Sequence, residues 1–180
     1  MIKLKAKELR TLQPTDKQKQ NLKKNPIYII LDNVMDTYNI GAIFRLADAV
    51  AAKKVLLCGE SETPPNSRIK KASIDTTNWV NWEYFDSTTK AIKSLKEEVS
   101  NISIIAIEQN KKSVNYTNVN YKLPVALVVG HETLGVSDEV LKLCDFIIEI
   151  PMYGVNISLN VMVSLGIVLY KVVEIIAVIP

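Results

Sequence analysis

Apolar runs alternate with stretches of helical periodicity along most of the chain. Residues 27–31 are continuously apolar, the pattern of a strand buried on both faces. Residues 40–52 then place Ile43, Phe44, Ala47 and Val50 or Ala51 on one helical face. The alternation continues with a strand at 54–58, an aromatic-rich edge strand at 79–85, a helix at 88–99 and a strand at 102–107. A polar connection at 110–122 leads to a strand at 125–129, a short helix at 138–143, a strand at 146–150 and a long closing helix at 159–177. Strands separated by helices predict an α/β fold, a mainly parallel sheet with helices on both faces. Ahead of this body, Thr15 and Gln18 have capping-box spacing, so a short charged helix is predicted to run to about Asn25, where Pro26 blocks it. The closing helix is apolar nearly all round. A helix of that kind is buried on most sides, and in a domain this small that predicts a subunit interface and a homodimer.

Charge changes this picture at one end only. The 180 residues carry a net charge of +3, but residues 1–24 hold eight Lys or Arg (Lys3, Lys5, Lys7, Arg10, Lys17, Lys19, Lys23, Lys24) against Glu8 and Asp16. The remainder is mildly acidic. The reading is a basic N-terminal arm, residues 1–25, on a single domain, residues 26–180. Two accounts of the arm stand at this point: a solvated lysine-rich terminus, or a contact with a polyanion that gains from counterion release. Cys58 and Cys144 lie beside apolar runs, outside any C-x-x-C, and read as buried thiols. With one histidine in the chain, no zinc site assembles from neighbouring ligands, and no metal is expected. The start of the chain lacks an apolar leader core. Asn156, Asn160, Lys171 and Glu174 interrupt the apolar stretch 155–179, so no membrane span is expected and a cytosolic protein follows.

Three segments place polar groups at strand-to-helix junctions, where α/β sheets present chemistry. The first is Asn39-Ile-Gly-Ala-Ile-Phe-Arg45. Asn39 is a good helix cap, and Arg45 is a surface charge unless a ligand engages it. The functional alternative has Asn39 at the helix mouth and Arg45 facing a phosphate or ribose oxygen, with Gly41 and Ala42 keeping that surface thin for a large ligand. The second is Gly130-His-Glu-Thr-Leu-Gly135, in which Gly130 permits close backbone approach, Glu132 is the carboxylate at the junction, Gly135 permits the turn and Ser137 is a good cap. His131 is the obvious general base by type, yet a lone histidine beside a glycine is more often a loop residue. No G-x-G-x-x-G accompanies these strands. The third is Ile150-Pro-Met-Tyr-Gly154 followed by Ser158-Leu-Asn160. Ser158 reads as a helix cap, whereas Asn160 in an apolar context needs partners for its amide.

Taken together and in this order, the segments resemble the three signature motifs of the SpoU (TrmH-like) family of RNA ribose 2'-O-methyltransferases, of the SPOUT superfamily. The resemblance spans roughly residues 26–176. It implies a sheet closed by a C-terminal deep trefoil knot, a homodimer with shared active sites, and S-adenosyl-L-methionine as cofactor. By motif position, Gly130, Ile150 and Leu159 would line the cofactor pocket, with Met152, Val129 and Ile107 beside them. Methyl transfer to a 2'-hydroxyl of tRNA or rRNA would rest on Arg45, Asn39, Glu132, Ser158 and Asn160, with Ser158 and Asn160 drawn from either subunit. A guanidinium keeps its proton, so Arg45 is read as a phosphate clamp and oxyanion stabiliser rather than a base. One segment departs from the pattern. Relatives carry a small-residue turn near K-T-A-x-G-A, where this chain reads Lys71-Ala-Ser-Ile-Asp-Thr76. The nearby cations Arg68, Lys70 and Lys71 and the aromatics Trp79 and Trp82 are candidates for RNA contact, though the tryptophans read first as core or edge-strand residues. The competing classes are a non-catalytic RNA-binding relative and a small-molecule α/β enzyme.

Overall fold

The computed structural model describes residues 14–178; Lys3, Lys5, Lys7 and Arg10 of the basic arm lie outside the described residues. Helix α1 (Asp16–Asn21) begins at the capping box. The Gln18 side chain accepts the Thr15 N–H at 2.8 Å, and the Thr15 hydroxyl accepts the Gln18 N–H. The helix stops short of its expected end because the chain is already strand at Asn25, whose N–H and side-chain amide donate to the carbonyls of Ala51 and Val50, each at 2.8 Å.

Seven strands form one sheet in which every pairing is parallel: β1 (Asn25–Asp32), β2 (Ala52–Cys58), β3 (Trp82–Phe85), β4 (Ser103–Ile107), β5 (Val114–Asn115), β6 (Val125–Gly130) and β7 (Phe146–Glu149). Their spatial order is β3-β2-β1-β6-β4-β7-β5. The helices between them are α2 (Thr37–Ala49), α3 (Ser67–Ser73), α4 (Thr88–Glu98), α5 (Asp138–Leu141) and α6 (Val161–Val178). Alternation along β1 sorts the two cores. Ile27, Ile29 and Leu31 pack with α2 and α6, while Tyr28 and Ile30 pack with α4 and α5. Burial on both faces is why the strands read as unbroken apolar runs.

Two elements escaped the pattern. Helix α3 has seven residues and buries only Ile69 and Ser73, so it carries no apolar stripe; its hold comes from α2. A Cβ on Gly41 would meet the Ile69 carbonyl at 2.8 Å and the Ser73 nitrogen at 2.9 Å. The thin surface at Gly41 therefore serves helix packing and not a ligand, which corrects the expectation. Strand β5 is two residues long, too short to leave a periodic signal. The glycine-free turn after α3 takes Ile74 and Asp75 into left-handed conformations, φ 51° and 62°.

Trp79 and Trp82 are half-buried against the core, with Trp82 on the edge strand as read, and Trp79 Nε1 donates to Asp48 at 2.7 Å. Helix α6 buries Leu165, Val168, Leu169 and Val172 but leaves Val163 and Tyr170 exposed. Within the protomer it is covered along one side only. No helix among the described residues is long and apolar enough to cross a membrane.

Candidate active site

The carboxyl ends of β6, β4 and β7 open onto one cleft of about 420 Å³, a size that holds a drug-sized molecule. Ile107, Val129, Gly130, Ile150, Met152 and Leu159 all line it, and so do Glu132, Ser158 and Asn160. Strand ends bring these residues together, because a parallel sheet delivers every carboxyl end to the same side.

Side chains from the three motifs join at the rim. Asn160 Nδ2 donates to Asn39 Oδ1 at 3.0 Å, and Asn39 Nδ2 donates to Glu132 Oε1 at 3.0 Å. Glu132 also accepts the backbone N–H groups of Met35, at 3.2 Å, and Asp36, at 3.0 Å. Burial alone would raise the Glu132 carboxyl. The hydrogen bonds from Asn39 and from the N–H groups of Glu132 itself, Asp36 and Met35 outweigh it and hold the group below the usual carboxylate range.

The cap assignments change. Asp36, not Asn39, caps α2, accepting the N–H groups of Tyr38 and Asn39 at 2.7 and 3.1 Å. This frees the Asn39 amide for its neighbours. The helix starts at Thr37, three residues ahead of the periodic stretch, so Asp36 takes the cap position expected of Asn39. Asn160, not Ser158, caps α6: its Oδ1 accepts Met162 N–H at 2.9 Å and Val163 N–H at 3.3 Å. One amide thus starts a helix and binds Asn39. Ser158 is exposed at the cleft.

Gly130 is required by the loop that follows, not by a ligand. A Cβ there would strike the backbone of Gly135 and Val136, where residues 131 and 135 pair through N–H bonds of 3.1 and 2.8 Å. His131 Nδ1 accepts the N–H groups of Thr133, at 3.0 Å, and Leu134, at 3.3 Å, so it shapes the loop in the way expected of a loop histidine. Arg45 does not line the cleft. It is exposed on α2, about 9 Å along the axis from Asn39, and its guanidinium makes no hydrogen bond or ion pair with another described residue. Both cysteines are free, and burial pushes each thiol up to about 12, which takes them out of nucleophilic chemistry.

Other functional candidates went unread. Glu108 and Glu149 line the cleft with Glu132, whereas no Lys or Arg does, so Glu132 is not the only carboxylate at the junction. From Ile150 to Leu159 no backbone group bonds to another backbone group among the described residues. Gln109 Nε2 ties this segment down by donating to the Ile157 carbonyl at 2.8 Å. An apolar floor, free backbone donors and acceptors, and three carboxylates suit a ligand with a flat heterocycle and a positive charge. The donor set therefore fits a sulfonium nucleoside such as S-adenosylmethionine. No group of His, Cys, Asp and Glu placed to hold a metal occurs among the described residues.

Comparisons with known proteins agree on one lineage. A family model described as the SpoU rRNA Methylase family matches residues 26–170. A tRNA (guanosine(18)-2'-O)-methyltransferase of Aquifex aeolicus is 34% identical over 153 residues, 83% of this chain and 69% of that protein. The 23S rRNA (guanosine-2'-O-)-methyltransferase RlmB of Neisseria meningitidis is 31% identical over 150 residues, 83% of this chain and 59% of the relative. The chain thus spans between 59% and 69% of these two relatives. Among solved structures, the A. aeolicus TrmH/SpoU tRNA modifying enzyme superposes with a TM-score of 0.75 at 33% identity, over 84% of this chain and 76% of that one. An AdoMet-bound rRNA methyltransferase from Sinorhizobium meliloti superposes with a TM-score of 0.77 at 27% identity, over 92% and 59%.

Proposed function

The chain belongs to the SpoU rRNA methylase family, and from that premise we propose that it methylates a ribose 2'-hydroxyl of a tRNA or rRNA with S-adenosylmethionine. The observation that carries this reading is the hydrogen-bonded chain Asn160–Asn39–Glu132, which links three motifs distant in sequence at the rim of the cleft. When bound, the cofactor supplies an electrophilic methyl group on sulfur. Val129, Ile107, Ile150, Met152 and Leu159 hold its apolar part, and Gly130 with those backbone groups of residues 150–159 that no side chain engages meets its polar edges. Holding the partners in line contributes on the order of 7–11 kcal/mol to such a displacement.

Arg45 clamps a phosphate of the RNA with its guanidinium, stabilising charge on the attacking oxygen. Glu132 orients the arginine or a substrate hydroxyl, while Asn39, Ser158 and Asn160 fix that network. Since Arg45 stands outside its own protomer's cleft, the site is completed by a second copy. The unpartnered side of α6, with Val163 and Tyr170, supports a homodimer, as does the exposed Ile157 on the cleft loop. The C-terminal segment threads as a trefoil knot, the body is one domain from residue 26, and the protein works in the cytosol.

RNA reaches the site along the basic surface of the arm and α3. Lys17 and Lys23 are exposed for this, as are Arg68, Lys70 and Lys71. Lys24 is turned inward beside Asp48, and its burial lowers its affinity for a proton. Lys19 lies over the Trp79 ring, 6.0 Å from its centre.

The test is transfer of labelled methyl from S-adenosylmethionine to bulk tRNA and rRNA, with the product ribose identified by mass spectrometry. Arg45→Ala is expected to abolish transfer while calorimetry shows cofactor binding unchanged. Absence of cofactor binding by the wild-type protein rejects the reading, and RNA binding without turnover favours a non-catalytic relative.

A further inference from the structure

Asp32 ends the central strand β1 and is 2% exposed. Its partners are all hydrogen-bond donors without charge: Thr88 Oγ1 at 2.6 Å and Asn33 Nδ2 at 3.0 Å on one oxygen, Ser137 N–H at 2.8 Å on the other. A buried carboxylate without a cation is costly, and it persists only where its hydrogen bonds answer for it. Ser137 lies at the end of the loop that carries Glu132. The preceding N–H, of Val136, is held at 2.7 Å by Glu108 Oε2 from the strand on the opposite flank of β6. Two consecutive amides of that loop are therefore gripped from both sides.

The lacing also runs the other way. Glu132 accepts the N–H groups of Met35 and Asp36, in the loop that leaves Asp32. Each loop offers a carboxylate to the backbone of the other: Asp32 to Ser137, and Glu132 to residues 35 and 36. Neither loop shifts without breaking a charge-assisted bond at each end. Asp32 does not line the cleft.

We infer that Asp32 is a positioning residue, which fixes the loop 131–137 and so sets Glu132 against Asn39 and the incoming nucleotide. The inference rests on the methyltransferase reading for its kinetic consequence, but not for its structural one. Three substitutions separate positioning from general support. Asp32→Ala removes the acceptor for Ser137. Thr88→Val strips a partner from the other carboxylate oxygen and leaves the Ser137 bond in place. Asp32→Asn keeps one oxygen for Ser137 while its amide donates to the Thr88 hydroxyl, at the loss of the bond from Asn33 Nδ2.

Measured well below each melting temperature, Asp32→Ala is expected to lose kcat by about 10-fold or more, with KM for S-adenosylmethionine within roughly threefold. Thr88→Val is expected to melt earlier yet keep kcat, and Asp32→Asn to restore most of it. If Asp32→Ala does not fold, Asp32→Ser, one carbon shorter than needed to reach Ser137, takes its place. Carbon-13 NMR of the Glu132 carboxyl, assigned with Glu132→Gln, needs no substrate. Its titration midpoint should rise towards the ordinary glutamate value in Asp32→Ala and stay low in Thr88→Val. Equal losses of kcat in Asp32→Ala and Thr88→Val, or an unmoved Glu132 midpoint in Asp32→Ala, would overturn the inference. A wild-type protein that transfers no methyl rejects the methyltransferase reading alone, because the NMR comparison still decides the role of Asp32.

Discussion

Glu132 touches water yet acts as a structural anion, because three of its hydrogen-bond donors come from Met35, Asp36 and Asn39, in the β1–α2 loop and the first turn of α2. Its depressed proton affinity fixes the sign of a pH effect. The bonds to the charged form are complete above the ordinary value of 4.5, and their stabilisation is lost as pH falls through the lower folded value. Thermal melts of the wild type and of Glu132→Gln should therefore differ most near neutrality and converge as the pH falls below about 4.5. A gap that stays constant to pH 3 would contradict this. Glu132 was legible as a carboxylate at a junction, and Asn160 as an amide needing partners, which it finds in Asn39. Asp32 and Glu108 were not legible, since the bonds by which they hold the loop 131–137 go to the backbone N–H groups of Ser137 and Val136 far along the chain, and such bonds need no particular residue type on the other side.

At the scale of elements, apolar runs located five of the seven strands, because a strand covered on both faces leaves little room for polar positions, and aromatics marked the edge strand β3. The periodicity also found α2, α4 and α6, which each turn an apolar side to the sheet. It passed over α3, whose stability is borrowed from α2 at the one place where a missing side chain lets two helices meet. Gly41→Ala puts a methyl group against the backbone of α3 and should cost about 1–3 kcal/mol in urea unfolding, with α2 and α3 forced apart. A neutral result would mean that α3 gives way easily, and the basic residues it carries would then be less firmly placed than the packing implies.

For the molecule as a whole, the proposal to test is a site finished by a second copy across the open side of α6. Sedimentation should give a dimer for the wild type. Val163→Glu, which sets a charge on that face, should shift it to monomers and remove methyl transfer together. Monomeric wild type with full activity would refute the shared site. The all-parallel topology followed from the alternation of elements, whereas the strand order did not, since no local pattern says that β6 inserts beside β1. That insertion has a consequence for how the protein is made. Ile27 emerges from the ribosome well before its partner Val125, which follows only after the residues between them have been synthesised. At common elongation speeds the gap is roughly 5–20 s, during which one hydrogen-bonding edge of a buried central strand waits without its mate. Newborn chains should accordingly be the form most prone to misassociation and most in need of chaperone cover.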